Sequence, residues 1–486
     1  MWPSPSREIL STQHDGKSIS HSGEDSGGGI VRDNMKHLIT RRQFLVSTAL
    51  AAGAAALGGC ATSKSIVPAV PRLVSPNEKL NIGIIGCGGK GATDAAGVAG
   101  ENIIALCDVD ENTLNHAAKK YPQARLYRDY RKMFDKEKLL DAVTVSTPDH
   151  QHAPAAMRAI TRGLHVYVQK PLTHNIWEAR QLTEAARRHR VATQMGNQGT
   201  SSEEIRRLVE MIQAGAIGDV REVHVWTNRP IWPQGQDRPP GSDPVPAHLD
   251  WDLWLGPAPV RPYKDKYPDA TRTKRANVYH PFCWRGWWDF GTGALGDMGC
   301  HIINAPMWAL KLGAPISAEV VDSDVVKKES FPSWSIIRWN FPKRGALPPV
   351  KLFWYDGGKK PAKPAELENR EFGQGGALYI GDKGKIYEGR LLPESRMKEF
   401  TPPPATLPRI PDGDHYKDWL IACKGGRAAC SNFDFAGPLT ETVLLGNLAL
   451  RLGRKIEWNA RRLCVSGCSE ADQHIRRTYR TGWELV

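Results

Sequence analysis

The 486-residue sequence contains no run of about 20 strongly apolar residues, so nothing in it has the make-up of a membrane-spanning helix. It has no internal repeat and no heptad pattern, which excludes solenoids, propellers and coiled coils. Cysteine is sparse, nine in all, and no pair has zinc-finger spacing, so no metal site is expected. Charge is not segregated either. The 65 Lys+Arg exceed the 52 Asp+Glu, giving +13, but basic clusters such as Arg187-Arg188 with Arg190 are short and interleaved with acids. A scattered excess of this kind is a solvated face rather than a nucleic-acid groove, so no nucleic-acid partner is expected. What remains is a chain, 41% apolar, long enough for two or three domains with cores of their own.

The N-terminal part reads as a targeting device. Thr40-Arg41-Arg42-Gln43-Phe44-Leu45-Val46 followed by an Ala/Leu/Gly-rich stretch to Gly59 has the layout of a bacterial twin-arginine signal. Leu57-Gly58-Gly59-Cys60 resembles a lipobox, which makes Cys60 a candidate lipidation site and the envelope membrane a candidate partner; ordinary cleavage near a small residue is the alternative. Met35 is a candidate start, because Met35-Lys36-His37 supplies the basic n-region that the Ser/Gly/Asp-rich residues before it do not. The expected organisation is therefore 1–59 signal, 60–78 tether, 79–198 a first domain and 199–486 a second, with a periplasmic destination. There, Cys423/Cys430 and Cys464/Cys468 are candidate disulfides.

The first domain opens with a β-rich run, Leu80 to Ile85, that leads into Gly86-Cys87-Gly88-Gly89-Lys90-Gly91 and a small-residue helix. That is G-x-G-x-x-G in its proper context. Gly86 permits the tight turn, Gly88 lets a pyrophosphate approach the backbone, and Gly91 allows close helix-to-strand packing. A second run, Ile103 to Cys107, ends in Asp108, 22 positions after Gly86, where a carboxylate accepts hydrogen bonds from ribose hydroxyls. The negative charge favours NAD over NADP, which remains open. Strands at Ala142–Ser146, His165–Gln169 and Val191–Met195 alternate with helices, one after Pro154 and one capped by Asn175-x-x-Glu178, predicting a parallel α/β sheet. Thr147-Pro148-Asp149-His150-Gln151-His152 falls just past a strand's carboxyl end, the edge where such sheets bind ligands.

From Asn77 onward the chain resembles the Gfo/Idh/MocA oxidoreductases. The resemblance rests on Gly86 to Gly91, Asp108, Thr147-Pro148, Gln169-Lys170-Pro171, Gly196-Asn197-Gln198 and Gly293-Ala294-Leu295-Gly296-Asp297-Met298-Gly299-Cys300-His301. It implies a Rossmann domain followed by an α/β domain on a large open, mainly antiparallel sheet, a nicotinamide cofactor, sugar or polyol substrates and a homo-oligomer. It also implies His301 as proton acceptor, Asp297 as the group orienting substrate or imidazole, and Lys170 as anchor of the substrate hydroxyl. Cofactor contacts are implied for Gly86, Cys87, Gly88, Gly89, Lys90, Gly91, Asp108, Thr147, Pro148, His152, Lys170, Pro171, Asn197 and Gln198. Asp297 and His301 stand four apart and share a helix face. Two positions depart from the family pattern: Gln169 stands where most members have Glu, and Asn304 where many have Asp. Both remove a negative charge near the site.

Eight of the 16 Trp fall between Trp226 and Trp308, in and around a Pro/Trp-rich insertion. Aromatic faces stack on sugar rings, so Trp284, Trp287 and Trp288 are candidate walls of a carbohydrate site, with His280, Arg285 and Asn304 as polar contacts. The tail from Asp414 is expected to pack against the second domain. The expected function is oxidation of a secondary hydroxyl of a sugar, polyol or glycoside with a tightly held cofactor. The alternatives are a redox-neutral glycoside-cleaving or epimerising enzyme and a non-catalytic carbohydrate-binding lipoprotein.

Overall fold

The computed structural model describes residues 68–267 and 277–485. The twin-arginine segment, Cys60 and residues 60–67 of the tether lie outside them. Strands β1 (Asn81–Ile85), β2 (Asn102–Cys107), β3 (Arg125–Tyr127), β4 (Ala142–Val145), β5 (His165–Val168) and β6 (Thr193–Met195) form a sheet in the order β3-β2-β1-β4-β5-β6, every pair parallel. The central strands β4 and β5 are buried along their whole length, Thr144 and His165 included, as strands covered by helices on both faces should be. Strand order reverses between β1 and β4, and the crevice at that point is where dinucleotides bind. This is the Rossmann half of the expected fold.

The second sheet has nine strands among the described residues: β7 (Val220–Trp226), β8 (Ser317–Ser323), β9 (Ser335–Phe341), β10 (Val350–Tyr355), β11 (Gly376–Gly381), β12 (Gly384–Tyr387), β13 (Arg390–Leu392), β14 (Ile456–Asn459) and β15 (Cys464–Val465). Their order is β13-β12-β11-β7-β10-β9-β8-β14-β15, antiparallel except for the β7–β10 pair. Strict alternation in β9 puts Ile337, Trp339 and Phe341 inside and polar neighbours outside. The large open, mainly antiparallel sheet is therefore present.

Six helices bear on the site: α1 (Lys90–Gly97), α2 (Asp149–Ile160), α3 (Ile176–His189), α4 (Gly293–Ile302), α5 (His415–Cys423) and α6 (Phe433–Leu452). Helix α2 starts before Pro154 rather than after it, which makes Asp149 its first residue. Helix α3 carries the full capping box between Asn175 and Glu178.

The tail departs from expectation. Helix α5 packs on the first sheet, where Trp419 and Cys423 join a buried cluster with Leu80, Ile82, Ile84, Leu106 and Tyr167. Helix α6 lies against α3 as well as α4 and β8, with Arg180 of α3 paired to Glu441 of α6 at 2.8 Å. One apolar cluster runs from Ile85 and Val145 of the first sheet through α6 to Trp339 and Trp354 of the second. Helix α5 packs against β6 and α1, and α6 contacts β6 as well, so the returning tail covers this part of the first domain. The candidate disulfides are not formed: Cys423, Cys430, Cys464 and Cys468 are free, Cys423 buried in the α5 cluster and Cys430 beside Ser201.

Trp419 is fully buried in this returning helix. Trp419→Ala is expected to cost about 3–5 kcal/mol of stability, measured by urea unfolding, although it lies more than 300 positions from β1 in the sequence.

Candidate active site

The glycine loop sits at the switch point and is tied down by Asp108. Gly86 has φ +84° and its missing side chain would overlap the Ser146 carbonyl; a side chain on Gly91 would overlap the Gly86 carbonyl. The Asp108 carboxylate accepts the Cys87 N–H (2.7 Å) and the Asp110 N–H (3.0 Å), holding the loop against the end of β2. Burial raises its pKa, and the lone pairs left over still face the cleft, where a ribose hydroxyl can donate. Cys87 contributes only its backbone, since its buried thiol turns to the Cys107 carbonyl.

A second carboxylate, not singled out from the sequence, organises the other side of the loop. Asp94 of α1 is fully buried and accepts four hydrogen bonds: from Lys90 Nζ (2.6 Å), Tyr416 Oη (2.7 Å), Ser146 Oγ (2.6 Å) and Gln169 Nε2 (2.7 Å). These donors come from the loop helix, from α5, from the end of β4 and from the residue before Lys170. Gln169 therefore has a structural reason. A carboxylate there would face Asp94 at hydrogen-bond distance with no proton between them, whereas the amide donates.

The cleft, about 660 Å³, brings together the predicted Gly86, Gly88, Gly89, Lys90, Asp108, Thr147, Pro148, Lys170 and Gln198 with His280, Trp284, Arg285 and His301. Lys170 donates to Asp297 Oδ1 (2.6 Å) and to the Asp297 carbonyl (2.7 Å), and Arg285 Nε donates to the same Oδ1 (3.2 Å). Burial opposes ionisation of Asp297, but the Lys170 ammonium and Arg285 guanidinium beside it hold its carboxyl far below the usual range. The carboxylate is thus hydrogen-bonded to two cations, fixing Lys170, and makes no hydrogen bond to the His301 ring. His301 is pushed down to about 3, first by burial and then by the Lys170 charge, and is neutral at pH 7.

Asp149, overlooked because residues 147–152 read as loop, starts α2 on the cleft wall. Burial pushes its carboxyl up to about 7 despite the Thr292 hydroxyl that donates to it (2.6 Å). The sequence signal was the Pro148-Asp149 pair, since Pro fixes the turn and an acid belongs at a helix start.

Other candidates serve the frame rather than the cleft wall. His152 is buried with Nδ1 against the Pro171 carbonyl (2.8 Å) and Nε2 against that of Thr147 (3.0 Å), bracing the two loops that carry Lys170 and Pro148. Buried Asn197 donates to the Cys300 carbonyl and accepts from Ser431. Asn304, 1% exposed, lies away from the cleft wall, so it is not placed to touch substrate there. Trp287 is a core residue whose indole donates to the Val278 carbonyl, and Trp288 packs on Phe331 beside a separate cavity. Trp284 does line the cleft, with Arg285 over its ring at 4.2 Å. His280 is held by Asp110 at 3.0 Å.

A glycine loop at a Rossmann switch point, a ribose-side carboxylate and a lysine-aspartate-histidine set in one cleft define a nicotinamide-binding oxidoreductase. Comparison with known families agrees. Residues 80–197 match the oxidoreductase family NAD-binding Rossmann fold of the Gfo/Idh/MocA group, and residues 199–348 match that family's C-terminal alpha/beta domain; the chain belongs to this family. Similar curated proteins include a glycosyl hydrolase family 109 protein of Saccharopolyspora erythraea, 31% identical over 30% of this chain and 34% of its own length. Another is an alpha-N-acetylgalactosaminidase of Shewanella oneidensis, 28% identical over 38% of this chain and 45% of its own length. The chain thus spans about a third to under half of the length of the curated relatives it matches. Among solved structures, the WlbA dehydrogenase of Bordetella pertussis, in complex with NADH and UDP-GlcNAcA, shares the fold with a TM-score of 0.55 at 16% identity, over 79% of this chain and 99% of its own. Myo-inositol 2-dehydrogenase of Lactobacillus plantarum does so with a TM-score of 0.50 at 14% identity, over 79% and 100%.

Asp149 gives this site a pH signature. Its carboxyl stays protonated in the folded chain up to about pH 7 but ionises in the unfolded chain near the ordinary value of 3.8, so folding stability falls as pH rises between the two. Asp149→Asn is expected to flatten that part of the Tm-against-pH curve; buried Asp356, also raised to about 7, keeps its own share. Gln169→Glu is expected to cost about 1–3 kcal/mol at pH 7 in thermal or urea unfolding, because a second carboxylate would replace the amide that donates to Asp94.

Proposed function

We propose that this protein removes hydrogen from a secondary hydroxyl of a sugar or glycoside, using an NAD that it holds tightly. The observation that carries the reading is the pairing, in one cleft wall, of a lysine locked by Asp297 with a neutral histidine that has no hydrogen bond to the described residues. Bound NAD supplies the hydride acceptor. The Lys170 ammonium, fixed by two hydrogen bonds to Asp297, offers its remaining N–H to the substrate oxygen and stabilises negative charge there. The hydroxyl proton passes to His301. An imidazole of low basicity suffices, because the proton becomes strongly acidic as the C–H electrons depart. Arg285, whose guanidinium covers a face of the Trp284 ring, offers the sugar a polar edge on the cleft wall.

The names of the curated relatives favour a second reading, redox-neutral cleavage of a glycoside, in which oxidation acidifies a neighbouring C–H bond. That chemistry needs a further acid–base group, and Asp149, near neutral pKa on the same wall, is the residue placed to serve. The Arg41-Arg42 segment and Cys60 support export in the folded state. A dehydrogenase beyond the cytoplasm has no free NAD pool to draw on, which is why tight retention belongs to the proposal.

Incubation of the purified protein with a panel of sugars and p-nitrophenyl glycosides decides between the readings. Keto-sugar in proportion to NADH is expected for the first, and free aglycone without net NADH would support the second. Lys170→Ala and His301→Ala are each expected to lower kcat by about 10²-fold or more while NAD binding persists. Unchanged turnover in both variants would remove the catalytic assignment.

A further inference from the structure

A second cavity, about 260 Å³, shares no lining residue with the cleft and is separated from it by Thr292. One side of that residue donates its hydroxyl to Asp149 in the cleft; its carbonyl accepts the Asn447 amide at 2.8 Å on the cavity side. The walls combine apolar surface from Trp288, Phe331 and Leu448 with polar groups that the fold leaves unsatisfied.

Asn175, 5% exposed, uses its side-chain oxygen to cap α3, and its Nδ2 has no partner. Asn447, 7% exposed, uses Nδ2 on Thr292, and its Oδ1 has none. Arg477 spends Nη2 on the His150 carbonyl and Glu178, and leaves Nε and Nη1 free. Arg451, in the last turn of α6, lies over the Trp288 ring at 4.6 Å and has neither a hydrogen bond nor an ion pair to any described residue. The one acid in the wall, Asp289, is ion-paired with Arg261 and acts on Arg451 only through space, where burial outweighs it and lowers the Arg451 pKa. Buried polar atoms without partners cost free energy in the folded chain, and the half-buried Arg451 guanidinium, without a hydrogen-bonded acid, is left to solvent.

We propose that this cavity is a binding site for a small hydroxylated carboxylate. The carboxylate suits the free fork of Arg451 and the remaining N–H groups of Arg477. Asn175 Nδ2 gives a further donor, Asn447 Oδ1 needs a hydroxyl as its donor, and the Trp288 and Leu448 surfaces take the carbon chain. The volume is near the lower end for small-molecule sites, about 300 Å³.

The test is calorimetric titration of the purified full chain with D-gluconate and with the neutral D-glucitol, alongside an NAD titration that reports on the folded cleft. Saturable one-to-one binding of gluconate and none of glucitol is expected. Arg451→Gln should weaken gluconate binding at least tenfold with NAD binding intact, whereas Arg285→Gln in the cleft should leave it unchanged. Arg451→Lys keeps the charge but loses the fork, and should weaken binding several-fold; it serves where the Gln variant does not fold. Absence of saturable gluconate binding by wild type overturns the proposal, as does binding that Arg285→Gln abolishes and Arg451→Gln spares. Because binding alone is read, the outcome is independent of which reaction the cleft performs.

Discussion

Four donors converge on the buried carboxylate of Asp94, and the working parts of the molecule are registered through them. Lys90 belongs to the glycine-loop helix, Ser146 to the end of β4, Gln169 to the strand end that carries Lys170, and Tyr416 to the helix that returns from the far end of the chain. A charge buried this deeply is tolerable only when its lone pairs are filled. The requirement works in both directions, since no one of the four elements can shift without leaving the carboxylate short of a donor. Gly97 makes room for the fourth, because any side chain there would collide with the Tyr416 ring. The cofactor cradle and the catalytic lysine are in this sense a single unit, clamped by a residue that lines neither.

The electrostatics of the cleft follow from a similar economy of partners. Asp297 stays ionised because Lys170 and Arg285 both donate to it, and the residual positive charge, together with burial, keeps His301 neutral. Asp149, with only a threonine hydroxyl bonded to its carboxyl, is left protonated near neutral pH. At and beside the cleft, an ionised Asp297 thus stands next to a neutral imidazole and a carboxyl that titrates near neutrality.

Much of this was legible from local sequence. The glycine spacing, the Asp108 interval and the predominantly apolar runs of β4 and β5 specify the parallel sheet, because each is a short-range pattern with one physical meaning. The Asp297/His301 spacing specified a shared helix face. What was not legible depends on contacts across long separations. Asp94 is an ordinary polar residue on a small-residue helix until Tyr416, more than 300 positions on, is brought to it. Gln169 read as a lost charge, when its amide is one of the donors that Asp94 needs. Asn304, Trp287 and Trp288 stand off the cleft wall; composition places aromatic and polar residues near a site without saying which face of the backbone they leave from. The helix boundary at Asp149 was hidden by Pro154, which sits inside α2 rather than before it.

The claim that the buried Asp94 carboxylate holds cradle and catalytic lysine in register is tested most directly by NAD titration and turnover of Asp94→Ala beside wild type, with circular dichroism to verify folding. A folded variant whose NAD affinity and kcat fall together, although the altered residue touches neither cofactor nor substrate, is the result expected. A folded Asp94→Ala that binds NAD and turns over as wild type does would contradict the account.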